Sequence, residues 1–193
     1  MSEDNFDRAH DKLDGFEGGY VNDPDDRGGE TYKGIARRFH PDWEGWEIID
    51  SLRNTPGFPH NLDNAIALQQ LVKDFYKSEY WDKLKGDLLP FEIAEELFEQ
   101  AVNMGLSSAV KNLQIVLNIL NRNEKFYSNI AADGIFGNQT LSTLKVSLAR
   151  NGEKLIFNLL NILQGATYIE LMLSNEVNEK YVGWFKRIDI RKV

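Results

Sequence analysis

The sequence predicts a mainly α-helical protein, a helical bundle interrupted in its amino-terminal lobe by one irregular or small-hairpin loop. Three observations carry that expectation. Apolar residues recur at helical spacing in segment after segment, alternating strand patterns are scarce, and the stretch "FEGGYVNDPDDRGGETYKGI", residues 16–35, holds too much glycine and acid for a regular helix or strand.

The elements follow in chain order. Phe6, Ala9 (or His10) and Leu13 fall at helical intervals, which predicts a short helix over 4–14 that stops at Gly15. Residues 18–34 carry two turn signals, "NDPDD" and "RGG", and form the loop. "DWEGWEIIDSLRN" reads as helix and "TPGFPHN" ends it. An amphipathic run from Asp63 to about Leu84 puts Leu68, Leu71, Val72 and Phe75 on one face, with Asn61 or Asp63 as its cap. Pro90 opens the next helix, Gly105 closes it, and Ser107 caps "SSAVKNLQIVLNILN". After the loop "NEKFYSNIAADGIFGNQ" comes a helix from about Gln139 to Arg150. "EKLIFNLLNILQGATYIELML" is apolar round most of its circumference, so it is expected to be buried on several sides of a folded unit, without membrane insertion.

A chain of 193 residues can bury a substantial core as one domain or two small ones. It has no cysteine, so no disulfide holds it and no thiolate serves as nucleophile or metal ligand. The start, "MSEDNFDRAHDKLDG", is acidic and lacks the basic head and apolar run of a secretory leader. The net charge of −8 is uneven: residues 1–95 carry 11 Lys and Arg against 21 Asp and Glu, and residues 96–193 carry 11 against 9. An acidic first half argues against nucleic acid, whose binding rests on cations that neutralise phosphates. Lys180, Lys186, Arg187, Arg191 and Lys192 read as a solvated face.

The chemistry is narrowed by what is missing. His10, His40 and His60 form no metal-binding helix motif, and neither a nucleophile elbow nor a phosphate-binding loop occurs. Asp23, Asp25 and Gly28 have some of the spacing of a calcium loop, but Arg27 and Gly34 stand where ligands belong, so no metal is expected. Carboxylates remain. Glu17 follows Phe16 and precedes Gly18 and Gly19, and an acid against apolar walls has its pKa raised, as a proton donor at neutral pH requires. Asp26, in a polar glycine-bordered loop, is expected to stay ionised. Two carboxyl groups whose pKa values are pushed apart are the working parts of glycoside hydrolysis: one protonates the leaving oxygen, the other acts as nucleophile or positions water. Thr31 and Tyr32 are candidates to hold that water. Gly18, Gly19, Gly28 and Gly29 let backbone approach a sugar chain, and Tyr20, Trp43, Trp46, Tyr80 and Trp81 are candidate stacking surfaces. The competing reading makes Glu17 a local cap or salt-bridge partner and "DPDD" a solvated turn.

"EGGYVNDPDDRGGETYKGI" closely resembles the signature of glycoside hydrolase family 108, bacterial and phage N-acetylmuramidases that are also labelled secretion activator proteins. The resemblance implies that Glu17 is the catalytic acid. The interval from Glu17 to Asp26 is similar to that of tailed-phage lysozymes, which implies a water-side role for Asp26. Their threonine lies two residues before a Gly-Ile pair, a position held here by Tyr32, with Thr31 one residue earlier. "YKSEYWDKL", "LPFEIAEELFEQAVNMG", "AVKNLQIVLN", "ADGIFGNQT" and "GWFKRI" resemble the family's carboxyl-terminal region, a predicted peptidoglycan-binding domain; Glu99 departs from it, standing where many relatives have aspartate.

What the resemblance implies is an α+β lysozyme-like fold with a catalytic domain over 8–93 and a peptidoglycan-binding helical domain over 94–190. The expected reaction is hydrolysis of the β-1,4 bond between N-acetylmuramic acid and N-acetylglucosamine, with glycan in a cleft between or beside the lobes. Glu17, Asp26 and Thr31 are the catalytic candidates, and Tyr20, Gly28, Gly29 and Tyr32 the substrate-binding ones. Peptidoglycan glycan strands are the expected partner, with no cofactor, no metal and a monomeric state. The chain is expected to be made in the bacterial cytoplasm and to act on the wall after release or export by another route. A lytic transglycosylase, or a wall-binding or secretion accessory protein without catalysis, are the alternatives.

Overall fold

The computed structural model describes residues 4–14, 18–22, 29–174 and 176–191. Helices dominate and one small sheet accompanies them, as the sequence predicts. The chain divides into two compact units, 1–79 and 80–193.

The first unit opens with α1 (Asn5–Asp14), whose Phe6, Ala9 and Leu13 are buried on one face as their spacing requires. His10 joins that face, with its ring centroid 5.6 Å from those of both Phe6 and Tyr76, so it is a core side chain. The glycine-rich loop carries three short antiparallel strands, β1 (Tyr20–Asn22), β2 (Glu30–Tyr32) and β3 (Ile35–Ala36), in the order β1-β2-β3. Helix α2 (Gly45–Leu52) buries Trp46 and Ile49. A 3-10 turn at His60–Asn64 leads into α3 (Ile66–Tyr76).

Here the structure departs from the single run expected over 63–84. Helix α3 ends at Tyr76, and Lys77–Trp81 form a π turn. Leu68, Val72 and Tyr76 are buried at four-residue steps, whereas the next buried side chain is Trp81, five residues on. A turn with i→i+5 bonding absorbs that extra residue. Neither expected cap serves α3: Asn61 donates to Thr55 Oγ1 (2.8 Å), Asp63 accepts from the Tyr32 hydroxyl (3.5 Å), and the residue before the helix is Ala65.

The second unit contains α4 (Phe91–Met104), α5 (Leu106–Leu120), α6 (Asn138–Asn151), α7 (Glu153–Ser174) and a 3-10 segment, Glu176–Arg187. Gly105, at φ 88°, makes the corner between α4 and α5 and occupies the capping position expected of Ser107. Trp81 is fully buried against Phe98, with centroids 5.7 Å apart, and donates its indole N–H to Asp87.

Polar side chains organise this unit as much as apolar ones. On α5, Gln114 accepts from the Gly134 N–H (2.8 Å) and donates to Asp133 (2.9 Å), Asn118 exchanges two bonds with the Ile130 backbone, and buried Asn121 accepts from the Phe126 and Tyr127 amides. These positions share one helix face and pin the loop 122–137 to it. On α7, Asn158 bonds both ways with the Arg191 backbone and Asn161 accepts from the Asp189 N–H (2.7 Å). Helix α7 is long and apolar enough to cross a membrane by length and composition. Its Ile156, Phe157, Leu160 and Tyr168 are buried within the unit together with Asn158, Asn161 and Gln164.

Candidate active site

The candidate loop is held by its hairpins. Tyr20 pairs with Tyr32, Val21 with Thr31 and Asn22 with Glu30, so Tyr20, Glu30 and Tyr32 share one face of the sheet and Val21 and Thr31 the other. Tyr32 and Ile35 pair across a two-residue turn, Lys33-Gly34, in which both residues have positive φ (43° and 76°). That geometry matches the natural twist of a two-stranded hairpin. The Tyr76 hydroxyl donates to the Lys33 carbonyl (2.7 Å) and fixes the turn to α3.

On the Tyr20 side, four charges interlock. Glu30 accepts from the Tyr20 hydroxyl (2.9 Å), from Arg37 (3.0 Å) and from Arg53. Arg37 also grips Asp50 with both terminal nitrogens (2.9 and 2.7 Å), and Arg53 reaches Asp50 (2.9 Å) and the Tyr20 oxygen (2.8 Å). Burial opposes charge on Glu30, yet the hydrogen bonds from Arg53, Tyr20 and Arg37 outweigh it and hold the carboxyl below its ordinary value. Hydrogen bonds from Arg37 and then Arg53 hold Asp50 well below the usual carboxylate range. Glu30 is therefore a fixed anion at neutral pH with its oxygens occupied. It braces β1 against β2 and is unsuited to donate a proton to substrate.

Each sequence candidate has a definite standing. Glu17, Asp26 and Gly28 lie outside the described residues, as do Asp23, Asp25 and Arg27. Tyr20 is half-buried, with its ring edge-on to Phe58 at 4.8 Å. Thr31 is half-buried on the sheet face away from Tyr32, its hydroxyl directed to the Gly29 carbonyl (3.4 Å). Gly29 has φ 63°, a left-handed conformation that a side chain would strain. Tyr32 is only 1% exposed; its hydroxyl donates to Asp63 and accepts from Gln69 (2.8 Å), so it ties β2 to the core. Of the proposed stacking aromatics, Trp46 and Trp81 are buried, whereas Trp43 and Tyr80 are part-exposed.

Sequence reasoning missed the Glu30, Arg37, Asp50 and Arg53 cluster. Only Asp50 and Arg53, one helical turn apart, had a local signal. The pairing of Arg53 with Glu30 joins residues 23 positions apart. In the second unit, Arg187 and Arg191 depart from the expected solvated face: Arg187 pairs with Glu99 (3.0 Å) and Arg191 with Glu92 (2.5 Å).

A glycine-rich hairpin braced between short helices, ahead of a helical carboxyl-terminal unit, defines a mainly α, lysozyme-like class of protein. The model of the family described as glycosyl hydrolase 108 matches residues 11–105, and that of the predicted peptidoglycan domain matches 108–189. The chain belongs to the glycosyl hydrolase 108 family and is a peptidoglycan-directed glycoside hydrolase. Among solved structures it is similar to one titled "Structure of Brucella abortus SagA", at 24% identity over 95% of this chain and 90% of that one, with a TM-score of 0.62; this likeness shows the fold. No curated protein matches it.

Proposed function

We propose that the protein is an N-acetylmuramidase that hydrolyses the β-1,4 bond between N-acetylmuramic acid and N-acetylglucosamine. The observation that carries this reading is the order of the two family matches: the hydrolase model spans Glu17 and Asp26, and the peptidoglycan model follows directly after it. Glu17 acts as general acid on the leaving oxygen. Asp26 stays ionised and either attacks the sugar or activates water, and the separation of the two carboxyls, about 5 Å or about 6.5 Å and more, selects retention or inversion. Thr31, on the face of β2 away from the core, assists in placing that water. Tyr20 and the backbone at Gly28 and Gly29 contact the glycan, and Tyr32 acts from the core side by holding β2.

Catalysis is assigned to residues 8–93 and wall retention to 94–190. The compact units divide at Glu79 and Tyr80 and the family models at 105 and 108, so this functional division falls between the two.

The test is digestion of purified peptidoglycan sacculi, with the products analysed by mass. New reducing ends from the parent chain, none from Glu17→Gln, and unchanged sedimentation of both with sacculi are the expected results. Clearing by Glu17→Gln at the parent rate would remove Glu17 from the mechanism. Anhydromuramic ends would replace hydrolysis with lytic transglycosylation, and absence of any clearing by the parent would leave a binding protein.

A further inference from the structure

The second unit contains a cavity of about 410 Å³, within the range of about 300–1,000 Å³ common to small-molecule sites. Asn103 from the end of α4 and Ser108 from the first turn of α5 line it. Met104 beside Asn103, Thr167, Tyr168 and Leu171 on α7, and Trp184 of the 3-10 segment line the rest. The Trp184 ring is part-exposed and lies 5.4 Å between centroids, tilted by 45°, from the buried Tyr168 ring that supports it, so Trp184 supplies the aromatic wall.

None of these side chains carries a formal charge. The charges nearest to Asn103 and Tyr168 along their hydrogen bonds are engaged with each other. Glu99 accepts from Asn103 Nδ2 (2.8 Å) and Gln164 Nε2 (2.6 Å) and pairs with Arg187, while Gln164 Nε2 also donates to the Tyr168 oxygen (2.9 Å). Asn103 Nδ2 further donates to the Glu99 carbonyl (2.8 Å), so both of its donations go to one residue and its Oδ1 is the atom left to receive a ligand donor. The hydroxyls of Ser108 and Thr167 stand beside it on the lining, the latter donating to the Leu163 carbonyl (3.0 Å) and so left as an acceptor.

An aromatic wall, an amide oxygen, two hydroxyls and, among the described residues of the lining, no charged side chain fit a neutral amide-bearing sugar. They fit poorly the carboxylates and ammonium groups of a stem peptide, which would be desolvated without a counter-charge. We propose that this cavity is a subsite for an uncharged N-acetylhexosamine unit of the glycan strand, with the sugar's apolar face on the aromatic wall and its acetamido N–H directed to Asn103. This rests on the glycan-cleaving reading and names where the second unit holds that glycan.

The test uses the full chain labelled with nitrogen-15 and titrated with tetra-N-acetylchitotetraose. The Trp184 indole resonance, assigned by its loss in Trp184→Phe, is expected to shift on titration. Ser108→Phe, which fills the cavity from an exposed helix position, is expected to weaken that titration by about tenfold or more, the usual cost of blocking an aromatic anchor site. An unmoved indole at saturating sugar, equal affinity in a folded Ser108→Phe chain, or an equal shift with a free stem peptide overturns the subsite. Failure here is separable from failure of the enzymatic reading. A chain that cleaves sacculi with an unmoved indole loses only the subsite, and one whose indole shifts without cleavage loses only the muramidase.

Discussion

Two glutamates show how local surroundings set opposite roles for one side chain. Glu30 gains three hydrogen bonds in the folded state, two of them from guanidinium groups, and its pKa is lowered. Its contribution to stability is present above the unfolded carboxylate value near 4.5 and is lost as pH falls through the lower folded value. Glu30→Gln keeps the shape but leaves Arg37 and Arg53 short of a counter-charge. It is expected to cost about 1–3 kcal/mol at neutral pH in urea unfolding, and less at pH about 3. Glu96 is the reverse. It is 7% exposed in the second unit, and burial pushes it up to about 7 against the pull of Gln100 and Asn161. A raised carboxyl pKa means that the folded state binds the extra proton, so stability falls as pH rises from about 4.5 to about 7 and then levels off. The drop is on the order of 3 kcal/mol. Urea midpoints measured across that range are expected to slope downward, and Glu96→Gln, which keeps the hydrogen bonds without the charge, to flatten the slope.

At the scale of elements, the helices were legible wherever a side chain answers to neighbours three or four positions away. The α1 face of Phe6, Ala9 and Leu13 is buried as read, and Gly105 breaks the chain where expected. The run from Asp63 does not continue as one helix because a π turn changes the period, and the demand for that change comes from where Trp81 must be buried. The polar ladders could not be read at all, since Gln114, Asn118 and Asn121 are indistinguishable from surface amides until the loop they hold is folded onto them. Their importance is measurable. Gln114→Ala leaves the buried Gly134 N–H without its acceptor and is expected to cost about 2 kcal/mol. Amide hydrogen exchange at Gly134 should accelerate in step, and an unchanged exchange rate would show that the ladder does not hold the loop.

For the whole molecule, charge separates the two units. Residues 1–79 carry 9 Lys and Arg against 17 Asp and Glu, whereas residues 80–193 carry 13 against 13. All of the net charge of −8 therefore sits in the first unit. A second unit of zero net charge, whose cavity is lined among the described residues by uncharged side chains, is suited to glycan held by stacking and hydrogen bonds, and screening has little to act on there. Retention on sacculi by the Glu17→Gln chain is expected to change by less than about twofold between about 50 mM and about 500 mM NaCl. A steep fall with salt would instead point to the wall's charged polymers as the ligand.

The sequence by itself determined the helical class, the irregular glycine-rich loop and the pair of carboxylates, Glu17 and Asp26, on which the proposed chemistry turns. These are written in short-range spacing and in residue types that few local structures tolerate. Only the tertiary structure decided that Tyr32 faces the core while Thr31 faces away, that Glu30 is a brace between two arginines, and that Tyr168 and Trp184 meet over a cavity. The physical reason is range: strand register, ion pairing and cavity walls join residues far apart in the chain, as Glu99 and Gln164 are at 65 positions, and no local pattern encodes which partners burial will bring together.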